Sequence, residues 1–222
     1  MVKDKHAPSS KYHVDVSSEF EPGSRKRVLK NLLHITSVRK MEDEELRAYM
    51  RAERLLIQRY NQDHSFTCED LNAVHRVFLG KIYRWAGSYR TVNLSKGGFP
   101  FASALAIPSA MKEFETNTLR PNTPCRNPVV REAARMIAEV HVELLLIHPY
   151  REGNGRTARL LATLMAYQAG MPGIDFGFIG RRGRAFDQYV EAIQGGIDRN
   201  YGQMQEIMEK ALLRAERLAR FS

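Results

Sequence analysis

Cysteine and tryptophan are both scarce: two of the first and one of the second in 222 residues. Cys68 and Cys125 cannot build a disulfide framework or a four-cysteine zinc site, and a reducing, cytoplasmic setting fits them. No apolar run approaches the roughly 18 residues a membrane helix needs, so no membrane partner is expected. The basic N-terminus, MVKDKHAPSSKYHV, has no apolar core behind it and does not read as a secretory signal. No internal repeat, low-complexity tract or linker divides the chain. No helix-turn-helix, zinc or RNA-binding signature is visible, which argues against a nucleic-acid reader. Acidic residues are the last shortage. Twenty-five Asp and Glu against 34 Lys and Arg leave a net charge of +9 and a pI near 9.7. Such a surface favours anionic partners without choosing among nucleotides, nucleic acid, acidic proteins and headgroups.

The composition that remains, 43% hydrophobic and 27% charged, is that of a soluble globular protein. Residues 1–24 are polar, with Pro8, Pro22 and Gly23, and read as a flexible arm; residues 25–222 read as one domain with a core at about 65–200. Periodicity predicts a helix over 41–60. A second starts at Thr67, with Asp70 completing a capping pair and Leu71, Val74, Phe78 and Ile82 on its stripe. His75 lies on the same stripe and reads as a packed core residue. Tyr89, Thr91 and Val92, then Lys96-Gly97-Gly98, predict one short hairpin over roughly 89–102. A free edge of such a hairpin can accept an extended peptide as another strand. A short helix is expected over 107–118. Asn127 is expected to cap a long helix with Pro128 at its first position. That helix should end at His148, because the residue before Pro149 avoids helical angles. Further helices are expected over about 155–168, 184–195 and 202–219.

The chemistry concentrates in His148-Pro149-Tyr150-Arg151-Glu152-Gly153-Asn154-Gly155-Arg156-Thr157-Ala158-Arg159. A helix ends at a histidine, a glycine-containing loop follows, and a second helix begins at about Asn154 or Gly155. Unpaired N–H groups and the dipole of that helix make an anion site. Two glycines let a phosphate approach the backbone. Arg156 and Arg159 can both reach anionic oxygens. Glu152 beside a polyphosphate would repel it unless Mg²⁺ stood between them. A histidine titrating near neutrality suits removal of a hydroxyl proton. The set reads as phosphoryl or nucleotidyl transfer.

These residues resemble the Fic (filamentation induced by cAMP) family motif, His-Pro-Phe-x-Asp/Glu-Gly-Asn-Gly-Arg/Lys-x-x-Arg, with Tyr150 where Phe is usual. Trp85-Ala86-Gly87, Arg90-Thr91-Val92 and Phe99-Pro100-Phe101 look like further core segments of that family. The resemblance implies an all-α fold, a helical core with one short β-hairpin flap, and transfer of AMP from Mg-ATP to a protein hydroxyl. By position, His148 resembles the general base and Glu152 the Mg²⁺ ligand. Gly153, Asn154 and Gly155 resemble the anion hole. Arg156 resembles a phosphate clamp, Arg159 the holder of the γ-phosphate, and Tyr189 part of the nucleoside wall. Thr91, Val92, Asn93, Leu94, Ser95, Lys96, Gly97 and Gly98 resemble the flap on which a target protein docks. Gly155 resembles the AMP-transferring branch, since Doc-type relatives, which phosphorylate, have Lys there.

Many Fic proteins resemble one another in an inhibitory helix, Ser/Thr-x-x-x-Glu-Gly/Asn, whose Glu pairs with the second arginine. The strict pattern is absent. Ser17, Ser65 and Ser109 each have a Glu four residues on, but Pro22, Asp70 and Phe114 follow these. Glu21 is the one that stands N-terminal at a plausible distance. Inhibition by an antitoxin-like partner chain is the first expectation, and Glu21 acting in cis the second. Other readings stay open: a different nucleotide or phosphate donor, removal of AMP, a secreted effector, or a basic nucleic-acid or interaction module with an unused site.

Overall fold

The structure, a computed structural model, describes residues 19–180 and 182–221. Seven helices dominate it: α1 Val38–Arg59, α2 Cys68–Leu79, α3 Ile107–Phe114, α4 Val130–Ile147, α5 Asn154–Gln168, α6 Arg184–Gln194 and α7 Gly202–Ala219. α3 runs on through a π-turn, Glu115–Leu119, to Arg120–Asn122. A two-stranded antiparallel sheet, β1 Ser95–Lys96 and β2 Phe99–Pro100, is the only sheet among the described residues. The fold is all-α with one small hairpin.

α4 is the central element because most of its circumference is apolar. Ala133, Ala134, Ile137, Ala138, Val140, Val142 and Leu144 are all buried, and only a narrow charged edge with Arg131, Glu132 and Arg135 meets solvent. α7 and α5 pack along it. α1 shows a different pattern, one buried stripe of Met41, Glu45, Ala48, Ala52 and Leu56 on a helix whose exposed faces mix charged residues with Leu46, Met50 and Leu55. It lies against α2 and α5.

Local chemistry set most helix ends where periodicity put them. Thr67 and Asp70 form the full capping box, each side chain accepting from the other's backbone N–H; such a cap is worth about 1 kcal/mol. At α4 the expectation fails by two residues. Asn127 Oδ1 takes the N–H of Val129 in a local turn, and the helix starts at Val130. The hairpin is also shorter than expected, and residues 90–93 are not strand. Strand propensity at Thr91 and Val92 loses because the chain curls around Arg90. The Arg90 guanidinium donates to the carbonyls of Val92, Ala102, His148 and Ile147, and its N–H donates to Pro149.

Of the arm expected to be flexible, residues 1–18 lie outside the described residues. Residues 19–24 are tied back instead: Phe20 bridges Leu29, Glu21 N–H donates to Val28 and Lys30 N–H to Glu19. Cys68 and Cys125 are buried free thiols.

Candidate active site

Each predicted motif residue is placed by α4, the loop after it, and the start of α5. His148 caps α4 in the left-handed region, φ 54° and ψ 58°. That is a costly conformation for a residue with a Cβ. Arg90 holds it there by donating to its carbonyl at 2.8 Å. The imidazole Nδ1 lies 3.1 Å from the Leu145 carbonyl, which can only accept, so Nδ1 carries the proton and Nε2 is the basic nitrogen. Phe101 stacks on the ring at 3.7 Å and 13°. Burial pulls the His148 pKa down to about 3, against the pull of the Leu145 carbonyl and Glu152. It is therefore not an imidazole titrating near neutrality, as the bare residue type suggested. It is held neutral, the form able to accept a proton.

The loop is fixed from beneath. Tyr150 is fully buried, stacked on His75 at 3.9 Å, with its hydroxyl donating to Asn72 at 3.0 Å. A Tyr in place of Phe thus has its polar end satisfied. His75 takes the Gly87 N–H on Nδ1 at 2.8 Å and reaches the Glu152 carbonyl with Nε2 at 3.0 Å. Burial keeps it neutral as well, with a pKa near 4. The Asn154 side chain both donates to and accepts from the Tyr150 backbone, at 2.7 and 2.8 Å. It closes the loop and does not cap α5. No side chain caps that helix, so the first N–H groups of α5 face the loop opening. Gly153 has φ 84°, and a Cβ there would lie 2.7 Å from Leu79 Cδ1, so only glycine fits. A Cβ on Gly155 would meet nothing within 4 Å, as a ligand cradle requires.

The acidic and basic groups fall into two unequal settings. Glu152 is buried and takes the Gly153 N–H at 2.9 Å. Arg156 donates to Glu45 at 2.7 Å and to Glu152 at 3.3 Å, with its guanidinium 5.0 Å over the Phe78 ring. Among the described residues no carboxylate lies within ion-pair distance of Arg159. Its guanidinium sits 5.1 Å over Phe176 and 5.7 Å over Tyr189, and its Nε is buried without a hydrogen-bond partner. Tyr189 is buried, its hydroxyl 2.7 Å from His141 Nε2. Its ring packs against Arg159.

Two placements differ from expectation. Glu21 does not reach Arg159: its carboxylate accepts from the Asn31 N–H at 3.0 Å and meets His34 Nδ1 at 3.1 Å. The Asn31 N–H, then His34, holds that carboxyl below its usual range. Its neighbour Glu19 instead pairs with the motif's Arg151 at 2.6 Å. In the flap, only Ser95 and Lys96 of the eight expected residues form strand. Leu94 is buried as the anchor, Asn93 Oδ1 takes the Ala104 N–H, and Gly97 and Gly98 turn at φ 58° and 83°. Thr91, Val92 and Asn93 lie in the irregular approach.

Sequence reasoning missed Glu45, Tyr83, Asn72 and Phe101 as site neighbours. Glu45 had one readable signal, a lone carboxylate on the apolar stripe of α1.

The Fic/DOC family profile matches residues 65–166, the whole loop and both flanking helices. Residues 65–166 are thus similar to a Fic/DOC domain. Protein adenylyltransferase VbhT of Bartonella schoenbuchensis is 31% identical over 144 residues, covering 64% of this chain and 30% of VbhT. The chain therefore spans less than a third of that relative. The crystal structure of BepC, a VirB-translocated effector of Bartonella tribocorum with bound AMPPNP, superposes with a TM-score of 0.66 at 22% identity, covering 82% of this chain and 91% of BepC. The Fic domain of Bep8 from Bartonella sp. 1-1C gives 0.69 at 18% identity, over 88% and 95%. At those identities the likeness carries the fold.

Proposed function

We propose that this chain is a Fic-type protein adenylyltransferase, moving AMP from ATP to a Ser, Thr or Tyr hydroxyl of a target protein. The observation that carries the reading is the placement of a neutral, tautomer-fixed imidazole beside an uncapped helix N-terminus, with Glu152 and two arginines around it. In this reading the target's backbone adds to the hairpin edge and brings its hydroxyl to His148 Nε2. Nε2 takes the hydroxyl proton as the oxygen bonds to the α-phosphorus. The bond from that phosphorus to the bridging oxygen breaks, and pyrophosphate leaves. The charge growing on pyrophosphate falls among the α5 N–H groups, Arg156 and Arg159. Phe101 keeps water off one imidazole face.

Glu152 fits an Mg²⁺, which takes one or two carboxylates and completes its shell with phosphate oxygens. When bound, that ion would supply charge neutralisation on the phosphates. ATP places the reaction in a cytoplasm, the cell's own or that of a recipient. Arg159, with no carboxylate beside it among the described residues, leaves the γ-phosphate position open. Glu21 is engaged by Asn31 and His34, so the inhibition we propose is by a separate antitoxin-like chain.

The test is mass spectrometry of cell lysate incubated with the protein and Mg-ATP. Peptides gaining the mass of one AMP on a hydroxyl, with wild type and not with His148→Ala, support the reading. Identical peptides from both proteins would refute it.

A further inference from the structure

Arg156 is held from two sides, and one of the holders stands far outside the motif. Glu45 lies on α1, beyond residues 65–166, and is 7% exposed. One of its oxygens takes the Tyr83 hydroxyl at 2.7 Å and the other takes Arg156 at 2.7 Å. We infer that Glu45 is a positioning residue for the nucleotide site. Held by Tyr83, it holds Arg156 and so sets how much of that arginine Glu152 receives. The inference rests on the reading that this loop binds a nucleotide.

The chemistry is that of two carboxylates sharing one guanidinium. Arg156 gives one N–H from Nη1 to Glu45 and one from Nη2 to Glu152, the second bond being longer at 3.3 Å. Its plane rests over Phe78. A fork fixed at its buried edge keeps its remaining N–H groups directed for phosphate oxygens. The ordering of a long side chain is then met before the ligand arrives. Without Glu45, the fork is freed to close on Glu152 with two parallel N–H bonds, the strong bidentate form. That would turn the arginine away from phosphate and occupy the carboxylate suited to a divalent cation. A merely structural role, an ion pair joining α1 to α5, would affect folding and leave the site unchanged.

The test uses the full chain, isotope-labelled at arginine. Side-chain N–H signals of Arg156 are identified by their loss in Arg156→Lys. In parallel, calorimetry measures the Mg²⁺ complex of a non-hydrolysable ATP analogue. Wild type and Glu45→Gln are expected to show the same Arg156 N–H signals, and Glu45→Ala to show them moved to new shifts as the fork turns onto Glu152. Analogue affinity should fall about tenfold in Glu45→Ala and about threefold in Glu45→Gln and Tyr83→Phe. A folded Glu45→Ala whose Arg156 signals stay at their wild-type shifts, or that binds within twofold of wild type, overturns the inference. If Glu45→Ala does not fold, Tyr83→Phe decides: shifted Arg156 signals with weaker binding support it, and unchanged ones overturn it. If wild type binds no analogue, the nucleotide reading falls, and the Arg156 signals alone decide for or against Glu45.

Discussion

The motif loop and the flap meet at His148 and are built in opposite ways. In the loop from His148 to Arg156, the inner face is fixed. Tyr150 is stacked and hydrogen-bonded, His75 holds the Glu152 carbonyl, Asn154 closes the turn, and Gly153 fills the only space left beside Leu79. In the flap, two residues pair with two, one leucine is buried, and the glycine tip stands in open space. A two-stranded hairpin alone is marginal in water, so its order comes from its root at Arg90. The difference teaches a division of labour: charge chemistry needs groups fixed in advance, whereas docking by strand addition needs backbone left unpaired.

Five changes break or sharpen that contrast. The largest effect belongs to His148→Ala, which should lower AMP transfer by two to four orders of magnitude, the usual worth of a general base. Its circular dichroism should match wild type. Gly153→Ala strikes the tightest point of the loop. A Cβ there combines a positive φ with a 2.7 Å approach to Leu79, and chemical denaturation should show a loss of about 2–3 kcal/mol. Acid attacks the same region. His75, His141 and His148 are held neutral by burial, with pKa values near 4, 3 and 3. The unfolded chain binds these protons below about pH 6.5 and the folded chain does not, so their contribution is intact above that pH. Stability should fall as pH drops from 6.5 toward 4, by up to about 1.4 kcal/mol per unit for each histidine. Denaturation midpoints along a pH series will show it, and a flat series would contradict the buried-neutral assignment.

The flap should answer differently. Replacing Gly97 and Gly98 by alanine strains φ 58° and 83° at a tip that touches nothing. The melting temperature should stay within about 1 °C, since such segments open locally at little global cost. Target labelling should drop about fivefold, with the KM for ATP unchanged. Tyr150→Phe is the smallest change. It removes one buried hydroxyl and leaves Asn72 Oδ1 to find another donor, costing about 1 kcal/mol in denaturant with activity retained.

How far the sequence could be read follows the same line. The loop was legible because its twelve residues carry their own instructions: proline to stop α4, glycines in the loop and a helix start to follow, although the closing of the turn by Asn154 was not read. The Thr67–Asp70 capping box is local and was equally readable. The flap was overestimated because strand propensity at Thr91 and Val92 says nothing of an arginine that gathers four carbonyls from two segments. Glu21 looked like an inhibitor from its spacing alone, and its bonds to Asn31 and His34 come from a fold-back that spacing does not encode. Glu45 stands more than a hundred residues from Arg156, and nothing local joins them.

The central claim, that this loop transfers the α-phosphoryl end of ATP, is tested most directly with two labels. Wild type and His148→Ala are incubated with Mg²⁺, cell lysate and ATP labelled at either the α- or the γ-phosphate. Protein that takes up the α-label only, and only with His148 present, is the predicted result. Uptake of the γ-label would make the chain a kinase and contradict the account.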